Sequence, residues 1–407
     1  MSQCCDTPKQ NLISFDDAIE LLLSKARAIP GKESVPLDQA LGRVLATAVE
    51  SGINVPPHDN SAMDGYAVRC ADVSTDSTTL PVSQRIPAGS IGTDLEPGTA
   101  ARIFTGAPVP PGADAVVMQE YCQQQDDQVV IGVAPKSGAN IRRAGEDITA
   151  GAIILEPGTL LRPQELGLAA SVGVAELEVV RRLRVALFAT GDELVDPGQA
   201  LAPGQIYNSN RYTLAGLLRS AGCEVIDLGR VADTLDDTRE ALLSAAQSAD
   251  LIISSGGVSV GEEDYVKLAL EQLGQLDMWR IAMKPGKPVA YGRIGETDFI
   301  GLPGNPVSVF VTFLLFARPF INTMQGLNKV LPTGIPVKAG FDWPRPDKRR
   351  EFVRARLVPD GSAELYPQQG SGVLSSAAWA DGLVVIRENQ VIKPGDPVTY
   401  FSFRELF

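Results

Sequence analysis

Between residues 182 and 328, short apolar runs alternate with longer stretches whose apolar residues recur at helical spacing, and no other feature constrains the fold as tightly. RVALFAT (184–190), CEVIDLG (223–229) and DLIISS (250–255) have the length and apolar character of strands. NSNRYTLAGLLRSAG (208–222), TLDDTREALLSAAQSA (234–249) and GEEDYVKLALEQLG (261–274) have the period of helices with polar caps. Strands and helices of these lengths in alternation predict a mostly parallel, doubly wound sheet covered on both faces. Ligands of such sheets bind beyond the carboxyl ends of the strands, so the loops after the strands are where chemistry is expected.

The flanking segments differ in texture. FDDAIELLLSKA (15–26) predicts a helix capped by Ser14, and LDQALGRVLA (37–46) a second short one. From about 54 to 144, Gly and Pro punctuate short β-like runs such as ARIFTG and DAVVMQEY, the mark of a small turn-rich β domain. Helical pattern returns in RPQELGLAASVG (162–173), so the β segment is expected to be an insertion into a helical domain. The last part has short strands and turns at PDG and KPGDP, which predict a small barrel or sandwich. The expected fold is therefore multidomain α/β plus β: a discontinuous N-terminal helical or mixed domain (11–53 and 145–180), an inserted β-rich domain (54–144), a central α/β domain (181–328) and a C-terminal small β-barrel (329–407). A length of 407 residues is more than one core usually serves.

Composition narrows the function classes. With 36 basic and 49 acidic residues the chain carries a formal charge of −13, which disfavours nucleic acid or an anionic membrane as general partners. Five cysteines (Cys4, Cys5, Cys70, Cys122, Cys223) without a C-x-x-C pair, and the single His58, suggest neither a zinc site nor a disulfide framework. MSQCCDTPKQ lacks a signal pattern, and the most apolar run, 307–317, is stopped by Arg318 short of a bilayer span. A cytoplasmic protein is expected.

Candidate residues collect in the expected loops. Glu193, Asp233 and Asp264 follow three strands; carboxylates about 4 Å apart repel by roughly 4 kcal/mol at an effective dielectric near 20, so their convergence would call for a cation such as Mg²⁺. Singly, each serves equally well as a helix cap. Gly256-Gly257 would let backbone N–H groups approach an anion, or merely make a tight turn. Lys284 and Lys287, in a loop stiffened by Pro285 and Pro288, suit a compact oxyanion, although KPGKP alone is more often a solvated turn. RREFVRAR (349–356) predicts a strand with Arg350, Phe352, Arg354 and Arg356 on one face, for an anion or for edge protection. PPHDNSAMDGYAV (56–68) brings Asp59 and Asp64 into one polar loop, and Arg142-Arg143 stand as an anion clamp or as surface partners of Glu146 and Asp147. No P-loop and no dinucleotide fingerprint is present, and a lone histidine makes a Ser-His-Asp hydrolase improbable.

Taken together, PPHDNSAMDGYAV, FTGAPVP with PGADAVV, NIRRAGEDI, TGDEL, SSGGVSVGEEDY, KPGKP and LPGNPVS resemble the molybdopterin molybdenumtransferase family, which includes the E domain of gephyrin. The resemblance runs from about residue 11 to the end and is thinner in the tail. It implies transfer of molybdate onto the dithiolene of adenylyl-molybdopterin with magnesium-dependent release of AMP, in an elongated homodimer whose cleft is shared between chains. Asp59, Thr105, Glu193, Asp233 and Asp264 would then form the catalytic set, with Asp233 and Asp264 holding Mg²⁺. Arg142, Gly256, Gly257, Ser259, Asn305 and Pro306 would bind the pterin substrate; Lys284, Lys287, Pro288, Arg354 and Ser371 would bind molybdate. Implied partners are a molybdopterin adenylyltransferase and molybdoenzymes or their maturation proteins. His58 stands where Phe is commoner in the family. The alternatives are the adenylyltransferase itself, which needs only the α/β domain, and a dimeric scaffold of the gephyrin E-domain type.

Overall fold

The computed structural model describes residues 12–257 and 265–406. Its central element is a six-stranded sheet in the order Glu224–Val231, Arg184–Thr190, Leu251–Ser255, Thr297–Leu302, Pro288–Ile294, Gln275–Arg280. The first four strands are mutually parallel and the fifth is antiparallel to both its neighbours, so the pairing is parallel where the sheet is most buried and antiparallel towards one edge.

Alternation along the strands divides the core in two. Val185, Leu187, Leu251, Ile253 and Ile300 face one side with Leu214, Leu217 and Leu218 of the helix Ser209–Ser220. Ala186, Phe188, Ile252 and Phe299 face the other side with Leu242 and Ala245 of Leu235–Ser248 and Val266, Ala269 and Leu270 of Tyr265–Leu273. The chain thus leaves strand Arg184–Thr190 towards one face and its neighbour Leu251–Ser255 towards the other. Two adjacent strands whose connections diverge leave a crevice between their carboxyl ends. Register aligns those ends: Ala189 lies opposite Ser255, Ser255 opposite Leu302, and Thr190 opposite Val231.

The most apolar segment, Pro306–Met324, is one continuous helix with a π turn at Phe313–Ala317 directly before Pro319. Proline cannot donate to the carbonyl four residues back and crowds it; the extra residue in the turn accommodates that defect. The helix is long and apolar enough to cross a bilayer, but 89% of it is buried, and its Phe310, Phe313, Phe316 and Phe320 pack in the first core. It is the spine joining the sheet to the tail.

The tail strands Ile335–Ala339, Arg350–Leu357, Ser362–Leu365, Gly382–Ile386 and Pro397–Ser402 close into a five-stranded barrel, because Arg350–Leu357 pairs with both Ser362–Leu365 and Gly382–Ile386. Val353, Ala355, Val384 and Tyr400 fill its interior, whereas Phe352, Leu383 and Val385 on the outer face join the α/β core. Met283–Lys284 adds to the same sheet beside Arg350–Glu351, which stitches the barrel to the α/β domain.

Upstream, a six-stranded sheet runs Ala115–Met118, Gly65–Val68, Ala100–Ile103, Thr78–Ile86, Gln128–Ile131, Cys122–Gln125. The chain on either side of it shares one small core, in which Val35, Leu45 and Val49 meet Leu155, Ala169, Leu177 and Val179. Two details differ from expectation. LDQALGRVLA forms only a single 3₁₀ turn, Leu37–Gln39, because the chain beyond is drawn into backbone bonds with residues 159–161 and 178. The capped helix Phe15–Lys25 does form, with Ser14 accepting from the Asp17 N–H at 3.1 Å, yet its apolar stripe of Ala18, Ile19 and Leu22 lies in the α/β core.

Candidate functional site

Two cavities open at the carboxyl edge of the sheet. The larger, about 580 Å³, is lined by Gly256, Gly257, the whole 283–288 loop, Asn305, Arg349, Glu351, Arg354, Gln369 and Ser371 among others. The second, about 390 Å³, is lined by Thr190, Glu193, Tyr207, Asn208, Asn210, Asp233, Tyr265 and Pro306. Gly256, Gly257 and Gly304 line both, so the two are halves of one cleft divided by the Gly-Gly turn.

That turn is built from residues only glycine suits. Gly256 has φ +89° and Gly257 φ +66°, and a side chain on Gly257 would collide with Val266. The Gly256 N–H is committed to the Leu302 carbonyl at 3.1 Å. Of the expected pair of backbone donors, therefore, only the Gly257 N–H is without a partner among the described residues. The 284–288 loop lies against the spine helix: a Cβ on Gly286 (φ +96°) would meet the Thr312 methyl, and the Ile281 N–H donates to the Lys287 carbonyl at 2.8 Å. The tail contributes through the Val307 N–H, which donates to the Ser371 carbonyl at 2.9 Å and holds Ser371 at the start of the helix. Asn305 occupies the N-cap position without making the capping bond, and its side chain lines the larger cavity.

The electrostatics of the larger cavity are unusual for an acidic protein. Arg354 is only 1% exposed, donates from Nε to Ser376 Oγ at 2.9 Å and from Nη2 to the Gly370 carbonyl at 3.2 Å, and has no carboxylate within ion-pair distance among the described residues. Burial alone pulls its guanidinium down to about 10. Lys284 is bound to Asp347 and lies 3.8 Å from Glu351. Asp347 also accepts from the Arg349 N–H at 2.9 Å and Nε at 3.1 Å; the Arg349 and Lys284 bonds hold it well below the usual carboxylate range. Burial pushes Glu351 up.

The expected basic strand face exists, and of its arginines Arg354 lines the larger cavity. Arg350, Phe352, Arg354 and Arg356 do share the outer face of the barrel strand, and each is engaged: Arg350 with Asp16 and Glu388, Arg356 with Glu364 and over the Trp379 ring. The strand is paired on both sides, which removes edge protection as its reason.

Glu193 and Asp233 both line the second cavity; Asp264 and Ser259 lie outside the described residues. Among the described residues no group of three His, Cys, Asp or Glu is placed to hold a metal ion. Two all-oxygen carboxylates remain compatible with Mg²⁺, which commonly takes one or two protein carboxylates together with substrate phosphate. Asn208 caps the helix Ser209–Ser220 through Oδ1, leaving its buried Nδ2 without a partner among the described residues; Asn210 gives Nδ2 to Ser255 Oγ and the Gly304 carbonyl, leaving Oδ1 without one among them.

Asp59, Thr105 and Arg142 line neither cavity. They sit together on the inserted domain, where the Gly106 and Val109 N–H groups donate to the Ser61 and Asp59 carbonyls and Arg142 pairs with Asn60. Asp59 accepts from the Ala144 N–H at 2.8 Å and is ion-paired with Arg143, both of which lower its carboxyl. Asp64 takes the Thr105 N–H and hydroxyl and so fixes that loop. Arg142 itself is exposed.

Sequence reasoning did not single out Arg349, Glu351, Asp347, Gln369, Asn208 or Asn210. Arg349 and Glu351 lie within RREFVRAR, a stretch read only for its alternate face. The two asparagines, poor helix formers within one first turn, were a usable signal.

Comparison with known proteins places this architecture. The pattern described as "MoeA N-terminal region (domain I and II)" matches residues 13–173, "Probable molybdopterin binding domain" matches 186–323, and "MoeA C-terminal region (domain IV)" matches 336–403. The chain belongs to the molybdopterin molybdenumtransferase family. A protein of that name from Haemophilus influenzae is 40% identical over 403 residues, covering 97% of this chain and all of the relative. The Nostoc molybdopterin molybdenumtransferase is 40% identical over 394 residues, covering 93% and 90%. A crystal structure of the molybdopterin biosynthesis moeA protein from Pyrococcus horikoshii superposes with a TM-score of 0.85 at 29% identity, covering 96% of this chain and 100% of that one. The larger cavity falls between the regions matched by the molybdopterin-binding and C-terminal patterns of this family.

Proposed function

We propose that this chain is a molybdenum insertase of cofactor biosynthesis, working in the cytosol, which takes adenylyl-molybdopterin and molybdate and releases AMP. The observation that carries the reading is Arg354: a guanidinium 1% exposed, without a carboxylate among the described residues, in the wall of a cavity that also holds Lys284, Lys287 and Arg349. A buried cation of this kind is costly unless an anion completes it. A tetrahedral dianion such as molybdate does so, with Lys284, Lys287, Arg354 and Ser371 around it and Pro288 shaping the wall.

The substrate's elongated body suits the divided cleft. The Gly257 N–H, Asn305 and the Pro306 helix start would seat the pterin side at the divide, and the nucleotide side would extend towards Glu193 and Asp233. Those two carboxylates, with Asp264, would hold Mg²⁺, which when bound neutralises the pyrophosphate as AMP departs. The protein's own share is positioning and charge neutralisation; no protein nucleophile is required, because the molybdate oxyanion itself accepts the dithiolene sulfurs.

Asp59, Thr105 and Arg142 enter this reading through a second copy of the chain, whose inserted domain would cover the cleft of the first. Molybdate-dependent release of AMP from adenylyl-molybdopterin in Mg²⁺ is the direct test, and a chain that binds the pterin without releasing AMP would overturn the proposal. Mixing Asp59→Asn with Asp233→Asn chains tests the shared cleft. Mixed dimers should recover about a quarter to half of the wild-type rate if each active cleft draws on both chains, and recovery no greater than the sum of the parents would refute sharing.

A further inference from the structure

Asp347 is not a wall residue of the larger cavity, yet it is bonded to two residues that are. Its carboxylate holds the Lys284 ammonium through one oxygen and Arg349 through backbone N–H and Nε at 2.9 and 3.1 Å, while Glu351 stands 3.8 Å from the same ammonium. The backbone fixes this arrangement, because Met283–Lys284 runs as a strand beside Arg350–Glu351. Lys284 is thus already neutralised from inside the protein before any anion arrives.

The charges at the cavity are Lys284, Lys287, Arg349 and Arg354 against Asp347 and Glu351. Four cations alone would capture any small dianion through charge, since an ammonium is a point charge with little shape preference. With the two carboxylates in place the surplus is two positive charges, the complement of one dianion. The cations left without a carboxylate among the described residues are then Lys287 and Arg354, and of the two Arg354, at the buried end, has the rigid planar fork that demands a particular fit.

We infer that Asp347 is a specificity-determining residue: it competes with the incoming oxyanion for Lys284 and Arg349, and so keeps the cavity from filling with sulfate or phosphate on charge alone. This rests on the reading of the cavity as the oxyanion site. Its carboxyl is held low by Arg349 and Lys284, so the competition persists throughout the neutral range.

The test is calorimetric binding of sodium molybdate and sodium sulfate, each alone, to the full-length wild type and to Asp347→Asn, with Asp347→Glu as the charge-conserving control. Asp347→Asn is expected to bind sulfate at least tenfold more tightly and to lose most of the preference for molybdate, while Asp347→Glu stays within threefold of wild type. Sulfate binding that is unchanged or weaker in Asp347→Asn, or a molybdate preference that survives, would overturn the inference while leaving the proposed function standing. A wild type and variant that both bind neither oxyanion would sink the two together. A merely structural role would lower the melting temperature of Asp347→Asn without shifting the molybdate-to-sulfate ratio, and that result also refutes the inference.

Discussion

Replacing Arg354 by Met separates what this residue does for the fold from what it does for the site. Burial pulls its guanidinium down to about 10, which corresponds to about 3 kcal/mol of disfavoured charge, at 1.36 kcal/mol per pKa unit. Against that stand two hydrogen bonds from a charged donor, to Ser376 Oγ and the Gly370 carbonyl, together about 4 kcal/mol at roughly 2 each. Ser376 keeps its bond to the Val373 carbonyl at 2.6 Å, and the methionine fills most of the arginine's buried stem. The two contributions nearly cancel, so Arg354→Met should unfold in urea within about 2 kcal/mol of wild type, as replacements of buried charges by apolar side chains often do. The site should respond very differently. A unit charge about 4 Å from an oxyanion contributes roughly 4 kcal/mol at an effective dielectric near 20, which is about a thousandfold in affinity. The assay pairs urea denaturation with the molybdate dependence of AMP release. A molybdate KM within threefold of wild type in a folded variant would refute the reasoning. So would a stability loss above about 4 kcal/mol, because Arg354 would then be a structural strut and not an anion ligand.

Two further perturbations probe the scaffold. Asp250 is opposed by burial but receives both Arg181 nitrogens at 2.8 Å and the Arg184 N–H at 2.8 Å, and its carboxyl is lowered on balance from 3.8. A depressed folded value means stability that is present above the unfolded value and lost as pH falls through the folded one. Wild type should therefore lose stability below about pH 4, and Asp250→Asn, destabilised by about 3 kcal/mol at pH 7, should show a flatter acid limb in pH-dependent urea melts; parallel limbs would count against this. Gly257→Ala puts a β-carbon at φ +66° against Val266. Backbone strain and overpacking together should cost about 3 kcal/mol and abolish AMP release, and a variant with wild-type melting temperature and turnover would show that the turn relaxes freely.

Much of the site was legible because it follows from chain-local facts. Gly191, Gly256 and Pro303 follow strands whose apolar runs are unmistakable, and register then forces their loops together. KPGKP and LPGNP announce themselves by proline and glycine. Arg354 was found as a basic residue on a strand, but that it lies buried without a carboxylate partner among the described residues was not readable, since a strand's pattern gives alternation and not what lies across each face. Asp347 was missed for the same reason: its partner Lys284 is 63 residues away, and an acidic residue in a proline-rich turn looks like any solvated one. Asp59 was singled out as an acid, whereas its bonds to Arg143 and Ala144 depend on two loops 84 residues apart.

By itself the sequence determined the alternation of elements, the cap of the first helix, and the edge of the sheet at which function had to collect, because periodicity, capping and glycine turns act over a few residues. Where the first helix docks, how the tail strand Arg350–Leu357 closes a barrel, and which cations of the cleft carry a counter-charge were decided only by tertiary packing. Those outcomes depend on which faces of distant elements bury each other, and desolvation, which sets the strength of every charge in the cleft, exists only once they have done so.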